Sequence, residues 1–331
     1  MPKNNTFDEI WDKLKEYKTA VMTLHSGPDG DSLGSCTAMK YVLEKYLNYK
    51  VTLISYDNLS ENLQSLKISK EVEFGKDILD VNLKNYNVLI TLDTGTLNLM
   101  GKTKKEFTLP KNMYTINIDH HETNKYYGNL NYVDSQNPSA SSILVDFFKH
   151  VKIPFDKELS TRLLLGVTTD SGFFTKGDKK RITKSLEDAI FLIENGADYV
   201  NDILKPIELG KPWKMKKYEA LVLNKAKFIK EKKLCYSSIS KEEIKDLNLN
   251  LAEVRMGIFV LQDIKGTDVV FVLTETEDQI KGSLRSKDVD VSKIAEKLGG
   301  GGHKQAAGIR FYDISLKEAE EKVLKVIDKY I

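Results

Sequence analysis

The stretch Thr19-Ala-Val-Met-Thr-Leu-His25-Ser-Gly-Pro-Asp29-Gly-Asp31 holds the first structural unit that the sequence predicts. Its first seven residues are mainly apolar and predict a short buried strand that delivers His25 at its end. Apolar residues then recur at helical spacing over residues 33–46, and Asp31 is placed to cap that helix. The stretch therefore predicts a strand, a loop and a helix, with the polar groups gathered at the loop.

Three later apolar runs repeat this strand pattern. They are residues 50–56, 87–93 and 113–119. The second run ends on Asp93 and the third on Asp119. In an open parallel sheet the ligand crevice lies beyond the carboxyl ends of the strands, so we expect both carboxylates to meet His25 there. The pattern predicts an α/β fold whose N-terminal domain is a doubly wound, mainly parallel sheet.

A second, smaller domain is expected because 331 residues exceed one typical domain. Strand and helix patterns alternate in the C-terminal part, which predicts a mixed α/β domain. The predicted strands are residues 234–239, 269–275 and 280–285, and the predicted helices are residues 251–260, 291–298 and 316–330. We place a catalytic domain at 1–200, a linker helix region at 201–230 and the second domain at 231–331. The active site is expected in the cleft between the two domains.

The bulk composition limits the class of partner. Fifty basic residues nearly balance 48 acidic residues, leaving a net charge of +2. A protein that grips long nucleic acid carries a strong basic field, so a short or small anionic substrate is favoured. Cys36 and Cys235 show neither disulfide nor metal-ligand spacing and are expected to be buried thiols. No apolar run approaches the ~20 residues of a membrane span, so we expect a soluble cytoplasmic protein.

Four of the five histidines lie in acidic clusters or in a glycine run. His25 precedes two aspartates, Asp119-His120-His121 forms a second cluster, and His303 follows four glycines. Carboxylates and imidazoles suit Mn²⁺ or Mg²⁺-like ions, and this many ligands favour two ions over one. Two-metal sites clamp the attacking and leaving oxygens at phosphorus, so the clusters predict phosphoester hydrolysis. The alternative for the first cluster is a turn whose aspartates only bond to the backbone.

Support for a metal-binding or catalytic role differs from residue to residue. Asp93 ends an apolar strand, where a carboxylate is costly unless it is paired or metal-bound, so we interpret it as a ligand that bridges both ions. Two adjacent imidazoles on extended backbone point to opposite sides, which predicts that one of His120 and His121 binds metal while the other faces the substrate. The carboxylate of Asp119 would fix the tautomer of the histidine ring that it contacts. For Asp170, after a helix, a ligand role and a turn role both remain open. His150 is interpreted as a surface residue.

The glycine run Gly299-Gly-Gly-Gly302 and the following His303 and Lys304 resemble an anion-binding turn that leads into a helix. A flexible linker is the alternative, but the chain continues as Ala306-Ala-Gly-Ile-Arg, which is typical of packed structure. Arg285 lies on a predicted strand and suits bidentate phosphate contact. A surface role for Arg285 remains open.

Taken in order, these motifs resemble the DHH phosphoesterase family with a C-terminal DHHA1 domain. The motifs are His25, Asp29, Asp31, Asp93, Asp119-His120-His121, Asp170 and Gly300-Gly-Gly-His303-x-x-Ala306-Ala-Gly308. A compact chain of this size looks like the bifunctional oligoribonuclease and pAp phosphatase group, the nanoRNases. The match covers nearly the whole chain.

The resemblance implies a role for each matched residue. One Mn²⁺ would be held by His25, Asp29 and Asp93, and a second by Asp31, Asp93, His120 and Asp170. Mg²⁺ and Co²⁺ are alternatives. The catalytic residues would be Asp93, His121 facing the scissile phosphate, and Asp119 supporting the histidines, with a hydroxide between the ions attacking phosphorus. Substrate would be bound by Arg285, Gly300, Gly301, Gly302 and His303. Dimers are common in this family, so a homodimer is an expected assembly.

The expected activity is release of mononucleotides from short oligonucleotides and of phosphate from pAp. An alternative is hydrolysis of cyclic di-AMP or of its linear product pApA. Inorganic pyrophosphatase is disfavoured by the glycine run before His303, and an exonuclease on long strands by the near-neutral charge. A sensor without catalysis is the alternative from another class. The chain departs from the family pattern at Ser171, where threonine is usual, and at Lys176–Lys180, whose lysines are alternative phosphate contacts.

Overall fold

The computed structural model describes residues 4–101, 109–110, 113–209 and 211–331. The chain divides into two compact units, Met1–Gly210 and Lys211–Ile331. The predicted linker region 201–230 spans this division. Within the described residues, no helix combines the length and apolar character that crossing a membrane requires.

The first unit is built on a parallel sheet of six strands. They are β1 Thr19–Thr23, β2 Lys50–Ser55, β3 Glu73–Phe74, β4 Val88–Leu92, β5 Tyr114–Asp119 and β6 Leu130–Val133. Their order is β3-β2-β1-β4-β5-β6, so the chain winds outward from β1 in both directions. The prediction of a doubly wound parallel sheet is confirmed. The short strands β3 and β6 were not predicted, because two to four residues carry too little periodicity to read.

Helices pack on this sheet. They are α1 Phe7–Glu16, α2 Gly30–Leu47, α3 Glu61–Gln64, α4 Ala140–His150, α5 Lys157–Asp170 and α6 Lys179–Glu194, followed by a π-helical segment, Tyr199–Leu209. The main core includes side chains of β1, β4 and β5 together with the apolar faces of α2, α4 and α5. The strand β4 is buried along its whole length, which explains its uninterrupted apolar sequence. Cys36 lies in this core as a free thiol.

Two details of the first unit correct the predictions. Asp29, rather than Asp31, caps α2, since its Oδ1 accepts hydrogen bonds from the backbone N–H groups of Asp31 and Ser32, both at 3.1 Å. Asp31 lies within the first turn and is buried, because its carboxylate faces another helix. We also expected the next helix to follow the basic residues 174–184, but α6 already begins at Lys179, with Asp178 as its N-cap.

The second unit holds a mixed sheet of six strands. They are β7 Lys227–Ile229, β8 Leu234–Ile239, β9 Val269–Glu275, β10 Ile280–Ser286, β11 Gly301–His303 and β12 Ala306–Phe311, in the order β11-β12-β10-β9-β8-β7. Among the described strands of this second sheet, only β8 and β9 pair in parallel. The helices are α7 Trp213–Asn224, α8 Lys241–Ile244, α9 Leu251–Met256, α10 Phe259–Gln262, α11 Val291–Lys297 and α12 Leu316–Ile327. The mixed α/β class predicted for this part is confirmed.

Two local predictions for the second unit are wrong. The predicted helix 251–260 is two short helices that break around Gly257, where a Cβ atom would lie 2.5 Å from the ring of Tyr218. The glycine run does not lead into a helix. Instead Gly301–His303 forms β11 and pairs antiparallel with β12. Gly300 is needed there because a Cβ atom would lie 2.1 Å from the carbonyl oxygen of Gly308.

Candidate metal centre

Seven side chains of the first unit converge beyond the carboxyl ends of β1, β4 and β5. They form three groups whose ligand atoms lie within 4.8 Å of one another: His25, Asp29 and Asp93; Asp93, His120 and His121; Asp31, His120 and Asp170. Asp93 and His120 each belong to two groups, which links the three into one cluster. All six metal ligands predicted from the sequence are thereby brought together, with His121 as a seventh member.

Asp93 lies at the middle of the cluster. Its Oδ2 is 3.3 Å from Nε2 of His25, and its Oδ1 is 3.2 Å from Nε2 of His120. Asp93 is nearly fully buried, and its backbone adopts a left-handed conformation with φ of 53°. Such a conformation is strained for a residue with a side chain and is typical of functional sites. Oδ1 accepts no well-formed hydrogen bond from the described residues.

His25 is oriented by its own loop. Its Nδ1 lies 3.1 Å from the carbonyl oxygen of Ser26, so Nδ1–H donates to that oxygen. Nε2 then faces the carboxylates of Asp29, at 3.6 Å, and Asp93. The lone pair of Nε2 would repel these two carboxylates. The arrangement is therefore favourable only when a proton or a cation lies between Nε2 and the carboxylate oxygens.

Asp31 and Asp170 complete the other side of the cluster. Asp31 accepts hydrogen bonds from the backbone N–H groups of Ala140 at 2.7 Å and Ser141 at 2.9 Å, in the first turn of α4. The positive end of that helix stabilises the carboxylate. Asp170 is the last residue of α5, and its Oδ2 lies 3.7 Å from Nε2 of His120.

The two adjacent imidazoles do not point to opposite sides, as the sequence had led us to expect. Their ring centroids are 4.7 Å apart, and Nδ1 of His121 lies 3.6 Å from Asp93 Oδ1, close to His120. The reason is that β5 ends at Asp119, so strand alternation no longer applies to the histidines. Asp119 is fully buried; its Oδ1 lies 2.8 Å from Nδ1 of His121 and accepts from the backbone N–H of His120 at 2.8 Å.

The cluster holds more negative charge than its surroundings support. Burial, together with repulsion from Asp93 and Asp29, raises the pKa of Asp170 to about 6 against the attraction of His120. Burial and repulsion from Asp93 and Asp170 also raise the pKa of Asp31 well above its usual value. For Asp93, contacts with His120 and His25 outweigh burial and hold its pKa far below the usual range. The carboxylates therefore compete for the available positive charge.

The donor set fits divalent cations. Four carboxylates, from Asp29, Asp31, Asp93 and Asp170, carry four negative charges when ionised, which two divalent ions would balance. The imidazoles add neutral nitrogen ligands that suit Mn²⁺ and related metals. The orphaned Oδ1 of Asp93 would gain the partner that the described protein groups do not supply.

Close helix contacts position these groups. A Cβ atom on Gly30 would lie 2.3 Å from Thr169 Oγ1, and one on Gly166 would lie 2.4 Å from Asp31 Oδ1. The glycines therefore let α2 and α5 approach until Asp31 and Asp170 share one site. The glycines at 30 and 166 were visible in the sequence, but the helix that each one faces was not.

Several supporting residues were missed by the sequence reasoning. Asp57 Oδ2 accepts from Ser26 Oγ and from the Gly27 backbone N–H, both at 2.8 Å, and so fixes the loop after His25. Asn124 Nδ2 donates to Asp119 Oδ2 at 2.5 Å and to Asn117 Oδ1 at 2.8 Å. Asp57 follows the strand β2, so the strand-end rule that selected Asp93 would also have selected it. Asn124 offers no comparable signal.

The predicted substrate-binding residues lie in the second unit. Ala306 of β12 is paired with Arg285 of β10 on one side and with His303 of β11 on the other. Residues directly opposite one another in antiparallel strands share a face, so Arg285 and His303 lie in one row on the same face of the sheet. Gly301 and Gly302 belong to β11, and Gly300 immediately precedes it.

Two family models match this chain. The model for the N-terminal domain of the DHH family matches residues 19–167, and the DHHA1 domain model matches residues 231–331. The chain belongs to the DHH/DHHA1 family. The resemblance drawn from the motifs is confirmed, and the chain is a phosphoesterase of a metal-dependent family.

Full-length relatives place the chain in the NrnA-like group of this family. A probable bifunctional oligoribonuclease and PAP phosphatase NrnA from Streptococcus mutans is 25% identical over 320 residues, covering 96% of this chain and 98% of the relative. A bifunctional oligoribonuclease and PAP phosphatase NrnA from Thermus thermophilus is 25% identical over 344 residues, covering 99% and 97%. The crystal structure of an exopolyphosphatase-related protein from Bacteroides fragilis shares the fold, with a TM-score of 0.83, 22% identity and coverage of 98% and 96%.

Proposed function

We propose that this DHH/DHHA1 phosphoesterase hydrolyses short oligonucleotides to mononucleotides and removes a phosphate from pAp. The observation that carries the proposal is the convergence of His25, Asp29, Asp31, His120 and Asp170 around Asp93. The similarity to relatives named as oligoribonucleases and PAP phosphatases, over almost their whole length, supports the substrate class.

The six converging residues would hold two Mn²⁺ ions, with Mg²⁺ or Co²⁺ as substitutes. When bound, the ions would supply an activated water and offset the charge of the phosphate. His121 would face the scissile phosphate and donate a hydrogen bond to one of its oxygens. Burial alone would lower the pKa of His121, but Asp119 and Asp93 raise it. Asp119 would hold the His121 ring in place through its 2.8 Å contact with Nδ1.

The second unit would bind the remainder of the substrate. Arg285 and His303, which share a row on the sheet, would contact a phosphate that is not hydrolysed, and Gly300, Gly301 and Gly302 would let the substrate approach the backbone. The lysines at 176, 179 and 180 are further candidates for phosphate contact in the first unit.

The proposal is tested by one assay with Mn²⁺ on equal concentrations of a ribo-dinucleotide, a ribo-24-mer, pAp, cyclic di-AMP and pApA, with products separated by chromatography. We expect the dinucleotides and pAp to be consumed first and the 24-mer slowly. Faster cleavage of cyclic di-AMP than of the dinucleotide would favour the cyclic dinucleotide alternative. Nucleotide binding without turnover of any substrate would favour the sensor.

A further inference from the structure

One face of the sheet in the second unit is covered by helices over only part of its width. On this face β8 and β9 contribute Cys235, Ile239, Val270 and Val272 to an apolar cluster with side chains of α7 and α10. Among the described residues of that cluster, none comes from β10, β11 or β12. The opposite face of the same strands packs on α11 and α12. β11 and β12 therefore leave this face open as a surface, and β10 borders it beside α9 and the ring of Phe259.

Three successive rows of paired residues form this surface, which we call the glycine trough. The rows are Lys281 with Arg310, Ser283 with Gly308 and Gly301, and Arg285 with Ala306 and His303. The residues of the middle row have small side chains or none. The end rows carry long basic side chains, and one of them also carries the imidazole of His303. Lys281 and Arg285 are four residues apart along β10, so the end rows are separated by roughly 13 Å.

The charges at one end of the trough are uncompensated. Lys281 and Arg310 face each other directly, an arrangement that destabilises a sheet when nothing neutralises it. Arg255 of α9 adds repulsion against both Lys281 and Arg285. Burial and the repulsion from Arg310 and Arg255 lower the pKa of Lys281 to about 8. Within the described part of the chain, none of these four side chains forms an ion pair with a carboxylate.

The Lys281 amine lies over the floor of the trough. Nζ of Lys281 lies 4.0 Å from the position that a Cβ atom on Gly308 would occupy, so the amine leans over the glycine. Ser283 is only 7% exposed, and its hydroxyl has no hydrogen-bond partner among the residues that the structure describes. Arg285 packs 5.6 Å from the ring centroid of Phe259, which holds its guanidinium in place.

Uncompensated cations around a small-residue floor match the chemistry of a phosphate group. We propose that Lys281, Arg310 and Arg255 bind a terminal phosphate of the substrate, distinct from the phosphate at Arg285 and His303 and from the one that is hydrolysed. This inference rests on the proposed function for the identity of the ligand. The backbones of the end rows are roughly 13 Å apart, which leaves room for one phosphate at each end. The site therefore selects short oligonucleotides that carry a terminal phosphate over those that end in a hydroxyl.

The test is calorimetric binding of pApA and of ApA to the full chain in EDTA, where no turnover occurs. We expect the wild-type chain to bind pApA at least ~10-fold more tightly than ApA, since each charge-assisted hydrogen bond contributes a factor of this order. Lys281→Met and Arg310→Gln should each weaken pApA binding by about 10-fold and leave ApA binding unchanged. Lys281→Arg, which keeps the charge, should retain most of the preference.

Lys325→Met is the matched control, because Lys325 is exposed on α12 at the other face of the sheet. It should change neither affinity. Equal binding of pApA and ApA by the wild-type chain would overturn the inference. Inorganic pyrophosphate is a second probe. If it binds as tightly as pApA and loses affinity equally in Lys281→Met and Arg310→Gln, the site binds free anions and the inference is overturned. The wild-type chain could also prefer pApA over ApA in the binding experiment and yet hydrolyse no substrate with Mn²⁺. That result would support this site and refute the proposed activity.

Discussion

Replacing Gly166 by alanine should disturb the metal centre from outside it. The added Cβ atom would lie 2.0 Å from Ser141 Oγ and 2.4 Å from Asp31 Oδ1, whereas ordinary contact begins near 3.4 Å. The carboxylate must therefore retreat by about 1 Å, which loosens its hydrogen bonds to the Ala140 and Ser141 backbone. Overpacking costs about 1–3 kcal/mol and a weakened bond to a charged group about 1.5–3 kcal/mol, against a gain of about 1 kcal/mol in helix propensity.

The net destabilisation is about 1.5–5 kcal/mol, which corresponds to a fall in Tm of roughly 3–20 °C. Turnover should fall about 100-fold, because a displacement of 1 Å in an active site has a cost of that order. The measurements are thermal unfolding in EDTA and steady-state hydrolysis of a ribo-dinucleotide with Mn²⁺. Gly95→Ala is the control for stability, since its Cβ atom would come no closer than 3.6 Å to Asp119 Oδ2 and should shift Tm by only a few degrees. Unchanged Tm and turnover in Gly166→Ala would refute the packing argument.

Asp93→Asn should reduce the Mn²⁺ content from two ions to fewer than one per chain and slow turnover more than ~100-fold. The fold should persist, because asparagine tolerates the left-handed backbone at this position. Elemental analysis measures the metal content, and two retained ions would contradict the bridging role. Asn124→Ala should reduce kcat about 10–100-fold by loosening Asp119, with metal content unchanged in the same analysis; an unaltered kcat would remove Asn124 from the site. The affinity advantage of pApA over ApA should fall by up to about 10-fold between pH 7 and 9. The reason is that Lys281, whose pKa is about 8, loses its proton in this range, whereas the phosphate monoester is already a dianion at pH 7. Calorimetry should show no such fall in Lys281→Met.

The fold class and the six candidate ligands could be predicted because they depend on local patterns. Buried parallel strands have apolar runs, and Asp93 and Asp119 stand where such runs end. The orientation of His120 and His121 was not predicted correctly, because extended backbone was assumed for both residues although they lie beyond the end of β5 at Asp119. The glycine run was misread for a similar reason: β11 forms only because β12 pairs with it, and β12 lies downstream.

Strand periodicity and motif spacing are properties of neighbouring residues, so the chemical groups and the strand ends that carry them could be read from the sequence. Which carboxylates share one site, and which cations face each other, follows from the packing of distant elements. Asp31 meets α4 across 109 residues of chain, and Lys281 faces Arg310 across a strand pair. The electrostatic energy of such pairs depends on distance and burial, and both are set by packing between elements that lie far apart in the sequence.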